Sequence, residues 1–161
     1  MARIRLPVPQ PPVPLGVSAD PRRAVRYLEQ AAEGGISAAQ LNLGLHYATG
    51  TGVVGGKNMN EAIKWYRKAA EQGNLQAQSN LGVAYYQGTG VTTDARQAAM
   101  WIERAAEGGL MLAQFNMGNC YKYGEGVAQS DTRAIQWYDR AAQQGDKIAK
   151  NAAKELRLKQ Q

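Results

Sequence analysis

The chain has 161 residues, 44% of them hydrophobic and 20% charged, enough to bury a core without disulfides and too apolar for a disordered chain. One cysteine (Cys120) excludes an internal disulfide framework and favours a reducing compartment, and one histidine (His46) leaves little for a metal site or a catalytic imidazole. The net charge of +6 sits at the ends, with +2 over residues 1–35, +1 over 36–145 and +3 over 146–161, so the body lacks the charged working face of a nucleic-acid binder.

In chain order, residues 1–15 form a proline-rich arm, Pro7-Val8-Pro9-Gln10-Pro11-Pro12-Val13-Pro14, expected in polyproline II and serving as a strap or tether. The stretch lacks the apolar centre of a secretory signal, and its prolines forbid the amphipathic helix of a transit peptide. Residues 16–35 hold one helix behind Asp20-Pro21. Three similar units follow, 36–73, 74–109 and 110–145. A basic helix over 146–161 closes the chain. No stretch approaches the roughly eighteen consecutive apolar residues of a membrane span.

The three units are a tandem repeat. Ala39-Gln40-Leu41-Asn42-Leu43-Gly44 returns as Ala77-Gln78-Ser79-Asn80-Leu81-Gly82 and as Ala113-Gln114-Phe115-Asn116-Met117-Gly118. Tyr47, Tyr85 and Tyr121 share a column, followed by Gly50-Thr51-Gly52-Val53, Gly88-Thr89-Gly90-Val91 and Gly124-Glu125-Gly126-Val127. Trp65, Trp101 and Trp137 align next, and Gly73, Gly109 and Gly145 close the units. Each unit reads as two helices. The first buries Ala39, Leu43 and Tyr47, spaced i, i+4, i+8, and stops at the Gly-x-Gly pair. The second opens on Asn58, Asp94 or Ser130, and Asp20 is the matching cap in residues 16–35. That segment is therefore the second half of a repeat, and 146–161 is a lone first helix whose Lys154 and Arg157 replace packing residues, as a polar cap requires.

These residues resemble the Sel-1-like repeat, a longer relative of the tetratricopeptide repeat, over about residues 16–153. The resemblance implies an all-α, right-handed α–α superhelix of helix–turn–helix repeats. It also implies a non-catalytic scaffold or adaptor that binds a partner protein. A cysteine-rich branch of the family, associated with β-lactam binding or hydrolysis, carries a cysteine pair in each repeat, which this chain lacks.

Among candidate sites, His46 and Cys120 fall in one column two repeats apart, on the order of 16–20 Å by helix-packing distances, whereas a nucleophile and its base need about 3 Å. The Gly-x-Gly-Val segments end helices and carry no phosphate-binding lysine, so they are turns. No catalytic residue, metal ligand or cofactor is expected. The basic residues Lys147, Lys150, Lys154, Arg157 and Lys159 spread around their helix as a solvated face.

The strongest candidate is the side of the first helices opposite the core. On a helical wheel it holds Leu41, Asn42 and Leu45, then Asn80, Val83 and Gln87, then Phe115, Asn116, Asn119 and Tyr123. The family resemblance places this side on the concave surface and gives the asparagine before Leu-Gly a role in gripping peptide backbone. An amide both donates and accepts, so Asn42, Asn80 and Asn116 form a ladder suited to an extended peptide. The expected partner is a protein, held as an extended peptide or a helix in this groove. The alternative is a permanent subunit of a larger assembly, in the cytoplasm or an organellar matrix, attached through the arm and the repeat edges.

Overall fold

The computed structural model of the protein describes residues 3–6 and 20–160, and the described residues contain eight helices and no strand. They are α1 Pro21–Glu33, α2 Ser37–Thr49, α3 Met59–Glu71, α4 Leu75–Gln87, α5 Ala95–Glu107, α6 Met111–Tyr123, α7 Asp131–Gln143 and α8 Lys147–Lys159. The expected polyproline stretch and residues 16–19 lie outside the described residues.

Each expected cap is made. Asp20 accepts from the Arg22 N–H, Asn58 from Glu61, Asp94 from Arg96 and Gln97, and Ser130 from Arg133. Each satisfies backbone donors that a helix start leaves open, worth about 1 kcal/mol. Two further caps sit on first helices, Asn74 on α4 and Asp146 on α8. The Gly-x-Gly pairs do two jobs. Gly124 closes α6 in the left-handed conformation (φ 70°). Gly126 lies so close to the preceding repeat that a Cβ there would come within 1.9 Å of the Ala95 carbonyl oxygen.

Consecutive helices pack on one another, giving an all-α repeat solenoid. Within a repeat the paired helices meet at a glycine: Gly44 abuts Tyr66, Gly82 abuts Ile102 and Gly118 abuts Tyr138. Between repeats the repeated glutamine is a polar bolt. Gln40, Gln78 and Gln114 donate from Nε2 to the carbonyls of Ala32, Ala70 and Ala106 on the preceding helix. The other end of the bolt is filled by Gln72 for Gln40 and by Gln144 for Gln114. In the second repeat that column holds Gly108, where a Cβ would strike Leu75, and the buried Gln78 Oε1 has no hydrogen bond.

The tryptophan column carries a cation over each ring from one turn later: Lys68 on Trp65, Arg104 on Trp101 and Arg140 on Trp137, at 4.3 to 4.7 Å. Helix α8 buries only Ala149, Ala153 and Leu156, and its five basic residues are exposed. Arg157 reaches back to pair with Asp139. No described helix is long and apolar enough to cross a membrane.

Candidate peptide interface

The third repeat holds a short segment of the chain itself. Residues 3–6 lie on α6, and Asn116 grips the backbone of Arg5 at two points: the Arg5 N–H donates to Asn116 Oδ1 at 2.7 Å, and Asn116 Nδ2 donates to the Arg5 carbonyl at 2.8 Å. This is the pairing a neighbouring β-strand would make, supplied by one side-chain amide. One turn on, Asn119 Nδ2 donates to the Arg3 carbonyl, and the Tyr138 hydroxyl donates to Asn119 Oδ1 and fixes which way that amide faces. Asn116 itself is fully covered.

The backbone bends at Arg3 and Ile4, and the side chains divide between the core and the rim. Ile4 points inward at 1% exposure and joins the core cluster containing Val83 and Met117, with Tyr86 and Phe115 at its margin. Burial of that side chain is worth about 1.5–3 kcal/mol. Arg3 and Arg5 point the other way, and each meets one carboxylate and one ring. Arg3 is 3.0 Å from Glu125 Oε1 and 4.6 Å from the centre of Tyr123. Arg5 is 2.7 Å from Asp146 Oδ2 and 3.8 Å from the centre of Phe115.

The electrostatics follow from these neighbours. Burial alone would raise the Asp146 carboxyl, but the Arg5 hydrogen bond, then the Ala149 N–H and the Arg5 charge, outweigh it and hold the group below its ordinary value of 3.8. Burial, and next the negative charge of Glu125, hold the Tyr86 hydroxyl above its ordinary value, with Arg3 opposing.

The ten residues marked out by the sequence do not act alike. Phe115, Asn116, Asn119 and Tyr123 all touch the segment 3–5, and Val83 joins the cluster that receives Ile4. Asn80 is buried and accepts instead from Gln76 Nε2 at 3.0 Å. Asn42 and Leu45 are half-buried, Leu41 packs at the margin of the α3–α4 core cluster, and Gln87 is exposed. Among the described residues, segment 3–6 makes no hydrogen bond to any of these five.

Sequence reasoning missed Arg3, Ile4, Arg5, Glu125 and Asp146. The signal was present in departures from the repeat: Glu125 stands where Thr51 and Thr89 do, and Asp146 where Asn74 and Leu110 do.

His46 and Cys120 take no part. His46 is buried with Nδ1 against the Thr51 carbonyl at 2.7 Å, and Cys120 is a core residue whose thiol burial pushes up to about 12. Among the described residues no group of three His, Cys, Asp or Glu side chains is placed to hold a metal.

The Sel1 repeat family model matches residues 14–36, 37–74, 75–110 and 112–146. A Sel1 repeat protein from Oxalobacter formigenes superposes with a TM-score of 0.78 at 42% identity, over 84% of this chain and 55% of that one. The protective antigen c5321 of uropathogenic Escherichia coli, which displays the same repeat fold, superposes at 0.80 and 38% identity, over 84% of this chain and 29% of that one. The chain thus spans about half the length of the first and under a third of the second. Cysteine-rich protein B of Helicobacter pylori shares the fold at 22% identity and a TM-score of 0.65, over 84% of this chain and 98% of that one. No curated protein matches the chain.

Proposed function

We propose, for a chain that belongs to the Sel1 repeat family and so to a class of non-catalytic protein-interaction scaffolds, that it is an adaptor gripping an extended segment of a partner protein along its first helices. The observation that carries this reading is the two-point clasp of Asn116 on the Arg5 backbone. Such a clasp ignores side chains, so it holds any extended peptide, and the neighbouring groups select among sequences. The groove runs from Leu41, Asn42 and Leu45 past Asn80, Val83 and Gln87 to Phe115, Asn116, Asn119 and Tyr123. The alternative, a permanent subunit tethered through the arm, needs residues 1–15 for a neighbour. Residues 3–6 are instead spent on the chain's own third repeat, which favours the adaptor.

Panning a random peptide library against the full chain tests this. Enriched peptides should lose at least tenfold in affinity on the Asn42→Ala, Asn80→Ala, Asn116→Ala triple variant, with its helical circular dichroism unchanged. Equal binding by the folded triple variant would overturn the reading.

A further inference from the structure

The groove face of the third repeat is built differently from those of the first two. Its core-facing columns keep the repeat pattern, with Ala113, Gln114, Gly118 and Tyr121 in register. The columns on the groove side do not. Phe115 replaces Leu41 and Ser79, Asn119 replaces Leu45 and Val83, and Tyr123 replaces Thr49 and Gln87. Glu125 replaces two threonines, and Asp146 stands where Asn74 and Leu110 do. These five departures converge on Arg3 and Arg5, the two residues that flank Ile4 in one bound segment.

From this convergence we infer that the third-repeat face is a sequence-reading site for an Arg–aliphatic–Arg segment of a partner protein, and that Arg3-Ile4-Arg5 is its built-in occupant, which the partner displaces. The inference rests on the groove reading above and adds to it what the groove selects.

The chemistry divides by residue. Asn116 and Asn119 fix the backbone and set the register. A position that sinks to 1% exposure among Val83, Met117 and Phe115 takes an aliphatic side chain and rejects a charge. The two flanking positions are each framed by a carboxylate and an aromatic face, a combination suited to the planar guanidinium, which pairs and stacks at once. At Asp146 the fork is used in both prongs, Nη1 to Oδ2 at 2.7 Å and Nη2 to Oδ1 at 3.4 Å. At Glu125 it is not: only Oε1 is engaged, while Oε2 is buried without a hydrogen bond and Arg3 stays half exposed. Being tethered, the occupant competes at an effective concentration on the order of millimolar.

The test uses the full chain with its groove emptied by substitution. The probe is a fluorescent peptide with the sequence of residues 1–8, read by anisotropy. Ile4→Asp places a charge at the buried position and releases the arm. A second variant, Arg3→Glu with Arg5→Glu, releases it by charge repulsion and leaves the core cluster unburdened. Both are checked by circular dichroism.

The peptide should bind either emptied chain at least tenfold more tightly than the intact chain. Adding Asn116→Ala should abolish that binding. A peptide with glutamate for both arginines should bind at least tenfold more weakly. If the glutamate peptide binds as well while Asn116→Ala still abolishes binding, the Arg–aliphatic–Arg assignment is overturned and the groove reading stands. If neither emptied chain binds any peptide, both fail. If intact and emptied chains bind alike, the arm is no occupant and the displacement is overturned.

Discussion

The first helices of the second and third repeats begin alike and end differently. Both carry Ala-Gln, then asparagine, then an apolar residue and glycine, and both bolt to the preceding helix through that glutamine. Yet Asn80 turns to Gln76 on its own helix, whereas Asn116 clasps another stretch of chain. The asparagine alone therefore does not make the site. What surrounds Asn116 does: Asn119 one turn on, and a ring and a carboxylate for each arginine. The repeat supplies a position that faces a groove, and departures from the repeat decide whether that position is used.

The comparison breaks most directly at the asparagines. Asn116→Ala removes both backbone bonds to Arg5 and should cost about 2–3 kcal/mol of arm docking, seen as lost hydrogen-exchange protection at the Arg5 amide. Asn80→Ala should leave that amide protected. Equal loss from both would erase the distinction.

A smaller effect is expected at Asp146. Its folded carboxyl sits below its ordinary value, so its contribution is fully present above that value and is lost as pH falls through the folded one. Arm protection should accordingly fall below about pH 4, and Asp146→Asn should weaken docking by about 1–2 kcal/mol at neutral pH while still capping α8. The matching change at Asn74, to aspartate, should leave the arm unaffected. An arm with no acid sensitivity in the native chain would contradict the Arg5–Asp146 pairing.

The defect of the second repeat can be repaired. In a Leu75→Ser background, which copies Ser37 of the first repeat, Gly108→Gln should bring a partner to Gln78 Oε1. It should add about 1 kcal/mol in urea unfolding over Gly108→Ala in the same background. No gain would mean the orphaned oxygen is satisfied in solution. The smallest effect is at the Arg3–Glu125 pair, whose arginine is half exposed: Glu125→Gln should cost less than about 1 kcal/mol of docking, and the difference should shrink in high salt.

The fold was legible because each repeat states it three times. Caps at Asp20, Asn58, Asp94 and Ser130, left-handed glycines at Gly50, Gly88 and Gly124, and the Ala, Leu and Tyr stripe are local signals that a single helix obeys. The candidate site was legible only in part, because averaging over repeats hides what is particular to one. Phe115 and Tyr123 drew notice as apolar residues on a polar face. Glu125 read as a turn residue and Asp146 as the start of a cap, since their importance comes from residues more than 120 positions away. No periodicity reports such a contact. The orphaned Gln78 oxygen was hidden likewise, since it depends on what Gly108 lacks.

A stacked array is otherwise a matter of neighbours, and each of its joints closes over a few dozen residues. The arm is the exception. Arg5 and Asp146 stand 141 positions apart, so their meeting closes a loop around nearly the whole chain. During synthesis the arginine leaves the ribosome 141 residues ahead of its carboxylate. The Arg5–Asp146 pair can form only after all three full repeats have been made, so this contact of the arm reports that they are in place.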